Sequence, residues 1–413
     1  MPGSASPLSQ IAVWLPRLQQ LSRRHPPEMI PGFLQFMRNH RDCLYGEPFS
    51  ETMLHASKRW KSCSHKVREE PRMDTPKGER SMRVLHLTYG QQMIALCQVL
   101  RKKGISATSC HFYGNSYEFK PDVCLHLERY AAKQRPAIAQ RYMNKVLDRY
   151  DIFHFHFSST FLPDNSDLKL LTSMGKKVII HHRGSEVRRL SIAKKLNPYA
   201  RVKPRWTDER ILADLKRISE SASHAIIPYY ELLPYIKPFY KYIHFLPNAV
   251  DLNAIQPAYP SGTGPVRIVH APTNQYVKGT EFIEAAIAQL KREGLDFQFT
   301  LIQKMPHDKA KAAYQQADLV IDQLHIGDYG MVSIEAMAMG KAVVCYMRKD
   351  LIPKYPGLPI VSANPDTLTD TLRHLLRKPH LLRKLGKQGR AYAQQHHNLI
   401  TAADKLIRIY RKL

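Results

Sequence analysis

Short apolar runs alternate with stretches of helical period from Met82 to the end of the chain. Residues 83–88 read as a buried strand, Tyr89-Gly90-Gln91 as a turn, and 93–103 as a helix stopped at Gly104. Further strands are predicted at 106–112, 123–127, 151–157, 178–182, 225–228 and 242–247, with helices over 136–150, 167–174 and 207–221. Leu246-Pro-Asn-Ala-Val-Asp251 and a linker over 252–265, with Pro257, Pro260, Gly262 and Gly264, close this series. A second series opens at Val266, with strands at 266–271, 297–303, 319–324, 342–346 and 359–362. Its helices fall at 279–291, 307–316, 365–377, 380–396 and 400–412. Such alternation argues parallel sheets covered on both faces. The expected class is α/β, with two Rossmann-like, doubly wound domains at 81–250 and 251–397 and a last helix at 398–413.

Residues 1–80 lack this rhythm. Short helices are expected at 31–41 and 51–61, and a polar linker with Pro71, Pro76 and Gly78 follows. Such an extension packs on its own domain, or touches a membrane or partner through its basic amphipathic segment. No run of about 18 apolar residues exists and no basic-then-apolar leader opens the chain, so any membrane contact is expected to be peripheral. Six cysteines without metal-type spacing, several inside apolar patterns, suggest buried thiols and a reducing, cytoplasmic setting, with the inner membrane face as a place of work.

Charge changes this picture. The net charge is +27, and it is unevenly spread: residues 81–250 carry 27 basic and 13 acidic side chains, whereas 251–370 carry 11 and 13. A basic first domain suits a polyanionic acceptor, anionic lipid headgroups or nucleic acid. No zinc-finger spacing, RNP-type motif or basic repeat points to nucleic acid. The plain alternative is a basic surface with no dedicated partner.

The most informative stretch is Gly327-Asp328-Tyr329-Gly330-Met331-Val332-Ser333-Ile334-Glu335-Ala336-Met337-Ala338-Met339-Gly340. It reads as a glycine-containing loop after a strand, a short helix and a glycine stop. Gly330 lets backbone approach a ligand closely, and the N–H groups of Gly330, Met331, Val332 and Ser333 suit a diphosphate. Glu335, one turn in, can accept from a ribose diol. Read blandly, the same residues are a glycine-bounded turn with an acid favoured near a helix start.

This run resembles the nucleotide-binding signature of the GT-B glycosyltransferases of family 4, the retaining enzymes with two acids eight residues apart. Glu335-Ala-Met-Ala-Met-Gly-Lys-Ala-Val-Val matches its second half. Where the first acid would stand is Gly327, with Asp328 one place later. Pro247-Asn-Ala-Val-Asp251 resembles the family's interdomain hinge, and Lys278-Gly279 its phosphate-binding lysine, although Gln275 stands where an arginine is usual. His182, followed by Gly184-Ser185-Glu186 and Arg188, resembles the family's strand-end histidine run. The resemblance implies a GT-B fold, retention, no essential metal and a last helix crossing back to the first domain. It implies His182, Lys278 and Glu335 as catalytic, and Gly330, Met331, Val332, Ser333, Glu335, Lys278 and Asn274 around the nucleotide. Gly90, His156, Arg188 and Asp328 fall on the acceptor or donor-sugar side.

His154 and His156 share one strand face. Two such histidines also suit a metal, yet no further ligand cluster and no DxD run is recognisable, and neither metal nor resident cofactor is expected. The implied partners are a nucleotide-sugar, with a UDP-sugar favoured, and a glycan, lipid-linked or polyanionic acceptor. Rival readings are a catalytically silent nucleotide-binding scaffold and a nucleotide-sugar epimerase of the same fold.

Overall fold

The structure is a computed structural model and describes residues 82–114, 118–303 and 305–413; the short helices and linker expected within 1–80 lie outside the described residues. Seven parallel strands form the first sheet: β1 Arg83–Thr88, β2 Ser106–His111, β3 Val123–Cys124, β4 Ile152–His156, β5 Lys177–His181, β6 His224–Ile227 and β7 Tyr242–Phe245. Their order is β3-β2-β1-β4-β5-β6-β7. Four more, β8 Val266–His270, β9 Phe297–Leu301, β10 Leu319–Ile321 and β11 Ala342–Val344, form a second parallel sheet in the order β11-β10-β8-β9. The chain thus reverses direction across each sheet, at β1/β4 in the first and β8/β10 in the second. Open α/β sheets gather ligands outside the strand ends at such switch points.

Helices cover the sheets by apolar stripes. In α1, Gln91–Lys102, the residues Met93, Leu96, Cys97 and Leu100 recur at helical spacing and are all buried. The first half is further covered by α2 Arg135–Val146, α3 Ser166–Ser173, α4 Leu190–Leu196 and α5 Asp208–Ser219, and the second by α6 Thr280–Arg292, α7 His307–Gln316, α8 Met331–Ala338, α9 Leu368–Arg377 and α10 His380–His396. The final helix, α11 Leu399–Tyr410, joins the core of the first half: Leu399, Ala403, Leu406 and Ile409 cluster with Val84, Leu96, Leu100, Ile152 and Ile179. The chain crosses between the halves twice, side by side, where Val250 N donates to His397 O at 2.9 Å and Leu399 N to Val250 O at 3.2 Å. None of the described helices is long and apolar enough to cross a membrane.

The structure departs from the sequence pattern where side chains take over the backbone. The strand expected at 123–127 stops at Cys124, because His126 turns left-handed (φ 50°) and Glu128 binds its ring and Gly114 N. The strand expected at 319–324 ends at Ile321; beyond it Leu324 N donates to Lys278 O at 3.1 Å. The strand at 359–362 is only a bridge between Val344 and Val361. Helix α4 and a helical turn at Gln275–Lys278 fall in stretches where the sequence pattern predicted no element.

Candidate active site

At the β8/β10 switch point one carboxylate organises the loops. Asp322 follows β10 directly and is 2% exposed. Its Oδ1 accepts from Lys278 Nζ at 2.8 Å, and its Oδ2 accepts from Gly330 N at 2.8 Å and Ser333 Oγ at 2.7 Å. Burial pushes this carboxyl up, but the Lys278 charge and these donors outweigh it and hold it below the usual carboxylate range. Lys278 also donates to Gln323 Oε1 at 2.5 Å. Any Cβ on residue 330 would stand 2.9 Å from Asp322 Oδ2 and 3.3 Å from Lys278 Nζ, so only glycine fits between the two ions.

The structure thus brings Lys278, Gly330 and Ser333 together. Gly330 N is satisfied by Asp322, so the donors at the start of α8 left to meet an anion are the N–H groups of Met331, Val332 and Ser333; the side chains of Met331 and Val332 are half-buried, and Ser333 is buried. Glu335 is buried in the same helix, one turn on. Its charge, behind burial, helps push up the Tyr314 hydroxyl on α7. Asn274 caps the turn that carries Lys278, its Oδ1 accepting from Val277 N at 2.9 Å.

Four expected site residues sit deeper than the sequence suggested. His182 does not face an open cleft: it is fully buried, with Nε2 2.9 Å from Tyr240 Oη and Nδ1 3.7 Å from Glu186. Arg188 is clamped by Glu231 through two 2.8 Å bonds. Asp328 is sealed where the halves meet, accepting from Tyr355 Oη at 2.7 Å, Tyr329 N at 2.8 Å and Glu231 N at 3.4 Å. Burial, with the Glu231 charge adding to it, raises its pKa to about 7. Gly90 alone of the acceptor-side set is half-buried and opens on free space; its N donates to His111 Nε2 at 3.1 Å.

His156, the fourth, belongs to a buried histidine relay. The register sets His86 opposite His154 and His156 opposite His181, with all four rings buried. Arg183 carries only donors, so its Nη2, 2.7 Å from His156 Nδ1, fixes the direction of the whole chain. His156 Nε2–H donates to His86 Nδ1 at 3.1 Å, and His86 Nε2–H to Tyr410 Oη at 2.9 Å. The Tyr410 hydroxyl donates to His154 Nδ1 at 2.6 Å, and His154 Nε2–H to His181 Nδ1 at 3.2 Å. His181 Nε2 ends the relay without a hydrogen-bond partner. Burial holds all four rings neutral: His86 is brought down to about 3, and the other three fall well below the ordinary value. Contrary to the sequence reading, a ligand-type cluster does exist here, since nitrogens of His86, His154 and His156 lie within 4.8 Å of one another. A metal ion could be held there only by giving up links of the relay.

Sequence reasoning missed Asp322 and Glu231. The signal for Asp322 was an acid at the carboxyl end of a buried strand, with a lysine in the loop that follows the neighbouring strand. Glu231 lay in a stretch without periodicity.

Comparison with known proteins places this geometry. Residues 277–392 match the family of glycosyl transferases group 1. The D-inositol 3-phosphate glycosyltransferase of Segniliparus rotundus is 30% identical over 139 residues, 31% of this chain and 29% of that protein. The MMP alpha-(1->4)-mannosyltransferase of Mycolicibacterium hassiacum is 24% identical over 237 residues, 49% of this chain and 55% of that protein. These matches span about half or less of those relatives' own length. Among solved structures, sucrose-phosphate synthase from Thermosynechococcus elongatus superposes with a TM-score of 0.60 at 17% identity, over 81% of this chain and 99% of that one. HepE from Anabaena, solved in complex with UDP-glucose, gives 0.56 at 14%, over 80% and 100%. Residues 277–392 thus carry the likeness to the group 1 glycosyltransferases, and the described chain has a GT-B fold.

Proposed function

We propose that this protein moves a sugar from a nucleotide-sugar donor to a glycan, lipid-linked or other cell-envelope-type acceptor, with retention. The observation that carries the reading is the joint placement of Lys278, the start of α8 and Glu335 at the β8/β10 switch point, inside the matched segment. Cleaving a sugar–phosphate bond builds charge on the departing diphosphate, and preorganised donors are the largest aid to that step. The N–H groups of Met331 to Ser333 and the Lys278 ammonium take that task, while Glu335 receives the ribose hydroxyls. A UDP-sugar is the favoured donor, since a structural relative is solved with UDP-glucose. The acceptor enters over the basic first half beside Gly90 and the 183–188 loop. His182 and Arg188 hold that loop in shape through Glu186 and Glu231. The inner face of a membrane is the proposed place of work.

Thermal unfolding with UDP, GDP, ADP and CMP tests the site. One nucleotide at ~100 times its dissociation constant should add roughly 2.7 kcal/mol, and Glu335→Ala should abolish the gain. An equal gain in wild type and variant would remove Glu335 from the ribose.

One observation favours a second reading, a nucleotide-binding protein without transfer. A Cβ at Gly327 would lie 2.5 Å from Arg348 Cγ, and φ there is 83°, so an acid at the family position would be strained and would displace Arg348. Gly327→Glu is therefore expected to destabilise by about 2–4 kcal/mol rather than restore an acid. A urea melt of this variant matching wild type would show that the position has room. Nucleotide-dependent stabilisation with no sugar release or transfer would favour the silent reading.

A further inference from the structure

The charge at the proposed phosphate site is short by one cation. Lys278 is already neutralised by Asp322 at 2.8 Å, so the pair brings no net charge to a diphosphate. Gln275 stands in the same loop where the resemblance expects an arginine. Nearby arginines are also engaged: Arg188 with Glu231, Arg201 with Glu281 and Arg348 with Asp350.

A strap from the first half offers the missing charge. After α4 the chain leaves its own half and docks on the second. Asn197 Nδ2 donates to His325 O at 2.9 Å, Tyr199 hydrogen-bonds Asp366, and Arg201 pairs with Glu281 at 2.6 Å. The Arg201 guanidinium lies 4.7 Å over the Tyr276 ring. Lys203 comes two residues after Arg201, as Lys278 comes two after Tyr276. A turn closed by Trp206 N on Lys203 O, at 3.0 Å, then returns the chain to α5. Lys203 is half-buried, and its electrostatic surroundings are Arg205, Glu186, Lys278 and Arg188. The one acid among these, Glu186, is fully buried and already accepts from Arg183 N at 2.5 Å and Gly184 N at 2.9 Å. No described carboxylate forms an ion pair with Lys203.

We propose that Lys203, delivered by the strap, is the second cation of the phosphate site at Lys278, so that a phosphoryl group is held by both halves of the protein at once. The proposal rests on the nucleotide-sugar reading above. A half-buried ammonium in the field of other cations is an unfavourable arrangement until an anion arrives, and the strap contacts keep it there. The phosphoryl group belongs either to the donor's diphosphate or to a phosphorylated acceptor.

Isothermal titration of the full chain with UDP, GDP and ADP, and with UMP, GMP and AMP, separates the cases for wild type, Lys203→Ala and Lys203→Arg. The expected result is a tenfold or greater loss of diphosphate affinity in Lys203→Ala, unchanged monophosphate affinity, and recovery in Lys203→Arg. If diphosphate affinity holds but inorganic phosphate no longer binds to the diphosphate-loaded variant as it does to wild type, Lys203 serves an acceptor phosphate. If the alanine variant matches wild type with every probe, Lys203 has no such role. If wild type binds none of the nucleotides, the nucleotide-sugar reading itself falls, together with this inference.

Discussion

Between pH 7 and pH 5 the protein is expected to lose roughly 6 kcal/mol of stability or more, comparable to the whole stability of many domains. His86, His154, His156 and His181 are neutral when folded, with pKa values driven down by burial, whereas in an unfolded chain they protonate near pH 6.5. Below that value the unfolded state binds more protons, so stability falls as pH falls. Each ring contributes about 2 kcal/mol to the loss by pH 5, and four make roughly 8. Asp328 works the other way. Its folded pKa of about 7 lies above the unfolded value, so its penalty is largest at neutral pH and is relieved as pH falls, returning roughly 2 kcal/mol by pH 5. The histidines win by number, and His111, His270 and His397, each lowered to about 4, add to the same side. Urea unfolding at pH 7, 6 and 5 measures the slope, and a flat profile would mean that the rings are charged or hydrated in the folded protein. In Asp328→Asn the slope should steepen, since the opposing proton is gone.

Asp322→Ala is expected to cost about 3–5 kcal/mol and to abolish nucleotide binding. The substitution strands the Lys278 ammonium, whose side chain is 14% exposed, and leaves Gly330 N and Ser333 Oγ without their acceptor. Those three groups are the scaffold of the proposed phosphate loop, so stability and affinity should fall together. A loss under 1 kcal/mol in a denaturant titration would show that the carboxylate is replaceable by water. Asp322→Asn should do less harm, because an amide oxygen still accepts from the loop.

What could be read in the sequence was whatever local pattern controls. Apolar runs and helical stripes marked both sheets, and Glu335-Ala-Met-Ala-Met-Gly pointed to the half that carries the family match, because that helix and its glycine stop are made by consecutive residues. The relay was not legible. His86 is 70 residues from His156, and Tyr410 is 256 from His154, so only strand register and the return of α11 bring them together. His182 misled for a related reason: a strand-end histidine points to a cleft unless a partner claims it, and Tyr240, 58 residues on, does. Asp322 stood next to the motif and was passed over, because its partner Lys278 sits in a helical turn 44 residues earlier and the pairing is created by the fold.

The place of Tyr410 in the relay also has a bearing on the order in which the protein can be assembled. Its hydroxyl links His86 to His154, and Leu406 and Ile409 fill the same interior as Val84 and Ile152. A nascent chain that has produced both sheets but not yet α11 therefore carries four imidazoles with a broken hydrogen-bond path and an uncovered apolar floor. The half made first on the ribosome is completed last.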